Sequence, residues 1–217
     1  MNDTFLQNAG SAEAQGEWDV ASQLYQQILA KDAGNPEVMA SLAECYRRMG
    51  QYDQSIAYYD AALKQDSSLI AAKEGKGLAL MSKGDFDTPA VLFDDVMKVD
   101  GKRWKTLNAL GILFTTRNMQ PEAQTYFKEA LKYSPANTSI LNNMGLSYAM
   151  NRDYATAADT LMQAGALSAA SGKERKRIDM NLALVYAIAG RLEDAKMITE
   201  NYYSGAALNN NMGLYAH

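Results

Sequence analysis

The chain is poor in the residues that most often carry chemistry. It has one cysteine, Cys45, and one histidine, the terminal His217. A lone cysteine excludes an intrachain disulfide. Cys45 lies between Glu44 and Tyr46 with no histidine in the repeat to activate it, so it reads as a small packing residue. A single terminal histidine excludes histidine-based triads and histidine metal sites. No apolar run approaches the ~18–20 residues of a membrane-spanning helix. No glycine-rich phosphate loop is present, because Gly75-Lys76-Gly77 falls inside a helical stretch. Asp94 and Asp95 are adjacent on a helix, where side chains diverge, so they form no shared acid/base pair. The residues call for no cofactor and predict no catalysis. Neither sign of charge dominates: residues 1–103 hold 16 acids and 10 bases, and residues 104–217 hold 9 acids and 11 bases. That balance argues against nucleic acid as the main ligand. The short run Lys173-Glu174-Arg175-Lys176-Arg177 reads as a solvated helix start.

What is present is a period. Ala21, Ser55, Pro89, Ala123 and Ala157 lie 34 residues apart. Trp18, Tyr52, Phe86, Gln120 and Tyr154 precede them by three, and Tyr25, Tyr59, Phe93, Phe127 and Leu161 follow by four. A fixed period of this length predicts stacked helix pairs. In the second repeat the spacing predicts helix A over 38–49, a turn over 50–53 and helix B over 54–65. Gly50, Gly84 and Gly190 share the turn position with Asn118 and Arg152. Glycine and asparagine accept a left-handed backbone there and arginine does so less readily, which predicts a different turn at Arg152. Ala9, Ala43, Gly77, Gly111, Gly145 and Ala183 share one helix A position, where a small residue leaves room for a facing aromatic. Pro89 follows Asp85-Phe86-Asp87-Thr88, a cap-like segment, and belongs in the first turn of helix B. Pro121 reads the same way.

Ala43, Tyr46, Gly50, Tyr52, Ser55, Tyr59 and Ala62, with Gly111, Phe114, Ala123, Phe127, Ala130 and Pro135, resemble the tetratricopeptide repeat pattern. The resemblance covers nearly the whole chain. It implies an all-α solenoid, a right-handed superhelix of about six helix pairs and a truncated seventh helix A. The expected organisation is a single array, with repeats at about 2–35, 36–69, 70–103, 104–137, 138–171 and 176–205 and a partial unit at 206–217. The register slips by four residues near Ala166–Lys173. It recovers when Asn142-Asn143-Met144-Gly145-Leu146 returns as Asn210-Asn211-Met212-Gly213-Leu214. Helix B of the sixth unit is expected from Leu192 to about Tyr203.

The candidate binding surface is the inner face of the A helices in the C-terminal half. Asn108, Asn142, Asn143, Asn181, Asn210 and Asn211 lie four and five residues into successive A helices. Ile112, Leu146, Leu184 and Leu214 lie one turn further on the same face. An asparagine offers a donor and an acceptor to an extended chain, while an apolar row takes its side chains. Arg177 adds a base one turn before Asn181. The pattern looks like the asparagine-lined inner grooves of tetratricopeptide arrays such as those of O-GlcNAc transferases. The alternative for some of these amides is a bond between neighbouring helices, and it suits Asn143 and Asn181 better than Asn108 and Asn142. A chaperone-type carboxylate clamp is only partly matched, by Lys105 with Asn108 and Arg177 with Asn181.

Residues 138–217 carry a further resemblance. The segment Asn142 to Ala149, the lengthened Ala-Ser-Gly link and the run from Arg177 to Lys196 are similar to TadD-type proteins of the tight-adherence (Flp) pilus system. That resemblance implies a non-catalytic lipoprotein on the periplasmic side of the outer membrane. Its partner would be a protein or peptide, the secretin or another pilus component. Met1-Asn2-Asp3-Thr4 reads as polar helix, so an anchor would have to precede it. A cytoplasmic tetratricopeptide adaptor or co-chaperone of another complex, and the targeting segment of a larger enzyme, are the alternative readings.

Overall fold

A computed structural model describes residues 2–168 and 172–203. Among these residues there are twelve α-helices and no strand. They fall into two units divided between Gly101 and Lys102. The first holds α1 (Asn2–Gln15), α2 (Trp18–Leu29), α3 (Pro36–Arg48), α4 (Tyr52–Gln65), α5 (Ile70–Lys83) and α6 (Pro89–Val99). The second holds α7 (Trp104–Thr116), α8 (Gln120–Tyr133), α9 (Thr138–Met150), α10 (Tyr154–Leu167), α11 (Lys173–Ile188) and α12 (Leu192–Glu200). Within each unit the helices pack as successive A/B pairs, all-α solenoid packing. The A helices also touch across neighbouring pairs, α3 on α5 in the first unit and α7 on α9 on α11 in the second.

Every pair turns in the same way. One or two residues after each helix A the backbone is left-handed, at Gly16, Gly50, Gly84, Asn118, Arg152 and Gly190. At Gly50 the amide bonds to the Arg47 carbonyl (3.1 Å) and the next amide, of Gln51, to that of Tyr46 (2.9 Å). These bonds satisfy carbonyls that the helix end would otherwise leave bare. Arg152 departs from the expectation of a different turn. Its φ is +62°, and the same two bonds form from Arg152 to Ala149 (2.9 Å) and from Asp153 to Tyr148 (3.0 Å). The two hydrogen bonds and the packing of the pair outweigh the arginine's own backbone preference.

Small residues set how closely the paired helices approach. A Cβ on Gly77 would lie 2.5 Å from the Phe93 ring, on Gly111 2.6 Å from the Phe127 ring, and on Gly145 2.8 Å from Leu161. These contacts join the recurring small position on helix A to the recurring large one on helix B. The anchors Ala21, Ser55, Pro89, Ala123 and Ala157 are buried.

Helix starts move by two residues from the expected bounds. In the second pair α3 begins at Pro36 because Asn35 caps it, its Oδ1 accepting from the Val38 amide at 3.1 Å. Pro89 is the first residue of α6. The cap-like segment before it is organised by Asp85, which accepts from the Asp87 and Thr88 amides (3.0 Å each) and the Thr88 hydroxyl (2.6 Å). At the other end, α12 stops at Glu200, short of the expected Tyr203. The amides of Tyr202 and Tyr203 both bond back to the Thr199 carbonyl, which closes the helix. The expected seventh helix A lies outside the described residues.

Candidate partner-binding face

The second unit places α7, α9 and α11 side by side, with α9 touching both neighbours. Their sequences put side chains of like character at like heights, because residues three or four apart share a helix face. Asn143 Nδ2 donates to Asn108 Oδ1 (3.2 Å), Asn142 Nδ2 to Asn143 Oδ1 (3.4 Å) and Asn181 Nδ2 to Asn142 Oδ1 (2.7 Å). Four amides thus form one continuous chain across three helices. Asn108, Asn143 and Asn181 are half-buried at its surface.

Asn142 requires a correction. It is 1% exposed, and its amide is engaged by Asn181 and Asn143. It is a bridge between α9 and α11 and is closed to a ligand, whereas the sequence favoured it as a groove residue over Asn143. Asn142 and Asn143 point about 100° apart on a helix, and the rotation of α9 turns the first inward.

Ile112, Leu146 and Leu184 lie one turn beyond the amides and are half-buried. Arg177 is exposed, one turn before Asn181. The structure therefore brings Asn108, Ile112, Asn143, Leu146, Arg177, Asn181 and Leu184 onto one face. Asn210, Asn211 and Leu214 lie outside the described residues.

Two features of this face escaped the sequence reading. Met150 and Ile188, one turn beyond Leu146 and Leu184, are 60% and 54% exposed. The i+4 spacing from those leucines was the available signal. Beneath the face runs a buried polar chain. Thr115 Oγ1 donates to Ser147 Oγ (2.8 Å), which donates to Gln120 Oε1 (2.8 Å), leaving Gln120 Nε2 without a partner. Small polar residues in an otherwise apolar stripe marked Thr115 and Ser147.

The basic run at the start of α11 is mostly engaged. Arg175 pairs with Asp179 (2.9 Å) and donates to the Gly165 carbonyl (2.8 Å). Lys176 lies over the rings of Tyr203 (4.8 Å) and Tyr202 (5.6 Å), and the Tyr202 hydroxyl donates to Asp179 (2.6 Å). Among the described residues Lys173 and Arg177, both exposed, enter neither kind of contact. Lys105 on α7 is exposed, its ammonium 5.8 Å from the Trp104 ring centroid.

The first unit offers a different surface. On α3, Glu44 accepts two bonds from Arg47 (2.7 and 2.6 Å), one from Arg48 (3.1 Å) and one from Tyr59 (3.1 Å). Burial pushes the Glu44 carboxyl up, but these partners outweigh it and hold the group below its ordinary range. Cys45 is fully buried with Sγ 3.8 Å from Glu13 Oε1. Burial first, and the neighbouring Glu13 and Glu44 carboxylates after it, push the thiol up to about 12, so it stays protonated and inert. Among the described residues no three His, Cys, Asp or Glu side chains gather to hold a metal.

Tetratricopeptide repeat models match residues 12–77 and 121–174. Among curated proteins the chain is similar to the BBSome complex member BBS4 of Bos taurus, 24% identical over 193 residues. That match covers 89% of this chain and 36% of BBS4, so the chain spans about a third of that relative's length. Among solved structures it is similar to the anaphase-promoting-complex assembly Cut9–Hcn1, with a TM-score of 0.81 and 17% identity over 100% of this chain and 43% of the other. It is also similar to PilF of Pseudomonas aeruginosa, with a TM-score of 0.71 and 15% identity over 98% and 96% of the two chains. Helix pairs on a 34-residue period, small-to-large contacts at Gly77, Gly111 and Gly145 and two matching repeat models lead to one conclusion: the chain is a tetratricopeptide repeat protein.

Proposed function

We propose that this protein is a non-catalytic scaffold that holds an extended segment of a partner across α7, α9 and α11. The observation that carries this reading is the half-buried amide row beside a half-buried aliphatic row. The row spends one donor of Asn143 and of Asn181 internally, and none of Asn108. Each of these amides can form up to two bonds as donor and two as acceptor. The remaining valences suit the N–H and C=O groups of a main chain that is not hydrogen-bonded to itself. The aliphatic row then shields those bonds from water, where they are stronger.

In the finer reading the partner is a component of a tight-adherence pilus machine, the secretin foremost, on the periplasmic side of the outer membrane. Support comes from the resemblance of residues 138–217 to TadD-type proteins and from the likeness in fold and length to PilF. A second reading, an adaptor segment within a larger cytoplasmic assembly, draws on the curated relatives, which include a member of the BBSome complex and a subunit of the anaphase-promoting complex.

The test is capture from the periplasm of a bacterium that carries a tight-adherence system. The bait is the native protein beside a variant with Asn108→Ala, Asn143→Ala and Asn181→Ala, with the helical content of both checked by circular dichroism. The expected result is recovery of the secretin or another pilus-assembly component by the first and its loss with the second. Equal recovery by both would remove the face from the reading. Recovery from whole cells of cytosolic proteins alone would remove the pilus.

A further inference from the structure

The face is graded from one edge to the other. Before the amide row lie Lys105 and Arg177, both exposed, with half-buried Ser139 between them on α9. Beyond it lie the half-buried aliphatics and then the exposed Met150 and Ile188. Arg177 and Ile188 are eleven residues apart, which places the basic and apolar edges about 16 Å from each other along the helix.

The face has few carboxylates on its helices, and its one exposed acid, Glu174, lies at the outer end of α11 three residues before Arg177. Neither α7 nor α9 contains an acidic residue. Of the two acids on α11, Glu174 accepts from the Thr138 hydroxyl (2.6 Å), and Asp179 is held by Arg175 and Tyr202. Among the described residues neither Lys105 nor Arg177 is held in an ion pair.

An extended chain laid along the amide row turns successive side chains to opposite edges, because its side chains alternate. One set meets the basic edge and the other the apolar edge. Three helices at ~8–10 Å spacing span roughly 20 Å, and at ~3.3 Å per residue that is about seven residues. Lys105 and Arg177 stand at the two ends of the span, Ser139 in the middle, and an apolar side chain rises from every helix.

From this geometry we infer the chemistry of the partner: an extended protein segment with acidic residues at its first and seventh positions and large aliphatic residues at its second, fourth and sixth. The inference rests on the proposed binding role of the amide row and adds the charge and the pattern of what binds there.

Three dye-labelled heptapeptides test it against the whole protein by fluorescence anisotropy. The first has glutamate at positions one and seven, leucine at two, four and six, and serine elsewhere. The second replaces glutamate by lysine. The third keeps the composition of the first with its leucines consecutive. The expected result is that the first binds about tenfold or more tightly than either control, as charge complementarity and side-chain register both require. A variant with Lys105→Glu and Arg177→Glu, both at exposed positions, is expected to prefer the lysine peptide.

Equal affinity for all three peptides overturns the inference. The alanine variant at Asn108, Asn143 and Asn181 then separates the two claims: if it loses the peptides, the binding face stands and only its selectivity falls. No measurable binding of the glutamate peptide also overturns the inference. So does sedimentation of the protein with phosphatidylglycerol vesicles that is abolished by Lys105→Glu and Arg177→Glu, since the basic and apolar edges would then serve a membrane surface.

Discussion

At the scale of single residues, the molecule contains positions where burial and backbone act against the side chain present. Arg152 holds φ +62° without the freedom of glycine. Arg152→Gly is expected to raise stability by about 0.5–1 kcal/mol, since the turn and its two hydrogen bonds are kept while the strain goes. Thermal unfolding measured by circular dichroism checks it. Glu13 is the second case. Burial raises its carboxyl, and the nearby Glu44 adds to the rise, while bonds from Tyr25 and Cys45 and the Arg48 charge partly oppose it. A folded-state value above the unfolded one means that the site favours the protonated acid. Its stabilising contribution is present below the ordinary carboxylate range and is lost as pH rises through the raised value. Glu13→Gln is therefore expected to stabilise the protein at neutral pH, with the gain vanishing below about pH 4, where the native carboxyl is protonated in both states. Melting temperatures of both proteins across pH 3–8 check the crossover.

At the scale of helices and their pairs, the fold was legible because each structural need recurs in register. The small position on helix A meets the large position on helix B in every pair for which a glycine tests it, as Gly111 against Phe127 illustrates. What could not be read was the side to which two adjacent amides turn. Asn142 and Asn143 are equivalent in type, and only the packing of α9 against α11 makes the first a buried bridge. Helix ends were similarly local matters: Asn35 started α3 two residues early, and the Thr199 carbonyl ended α12. Asn142→Ala is expected to destabilise by about 1–2 kcal/mol, because it strips Asn181 of its acceptor inside a packed contact. Asn108→Ala, at the half-exposed end of the row, is expected to change stability by about 0.5 kcal/mol or less. Chemical denaturation of the two variants side by side distinguishes the bridge from the exposed end. Hydrogen exchange is expected to rise first in α11 and α12 for Asn142→Ala.

At the scale of the whole molecule, the two units differ in charge as well as in surface. Residues 1–101 carry a net charge of −8 and residues 102–217 a net charge of +4. The face on α7, α9 and α11 thus belongs to the less acidic half of an acidic protein. Association of an acidic segment with it is expected to weaken with salt, as screening shortens from about 10 Å at 0.1 M to about 3 Å at 1 M. Titrations of the glutamate heptapeptide at those two concentrations measure the effect, and the lysine peptide is expected to show the opposite trend. The sealed thiol of Cys45 has a practical consequence at this scale. Because it is the sole cysteine, is fully buried and stays protonated, the native molecule presents no reactive sulfur to a maleimide. A cysteine introduced at Ser139 or Met150 becomes a unique labelling address. Spectroscopic reporters can then be mounted on either edge of the face without first stripping the protein of its own thiol.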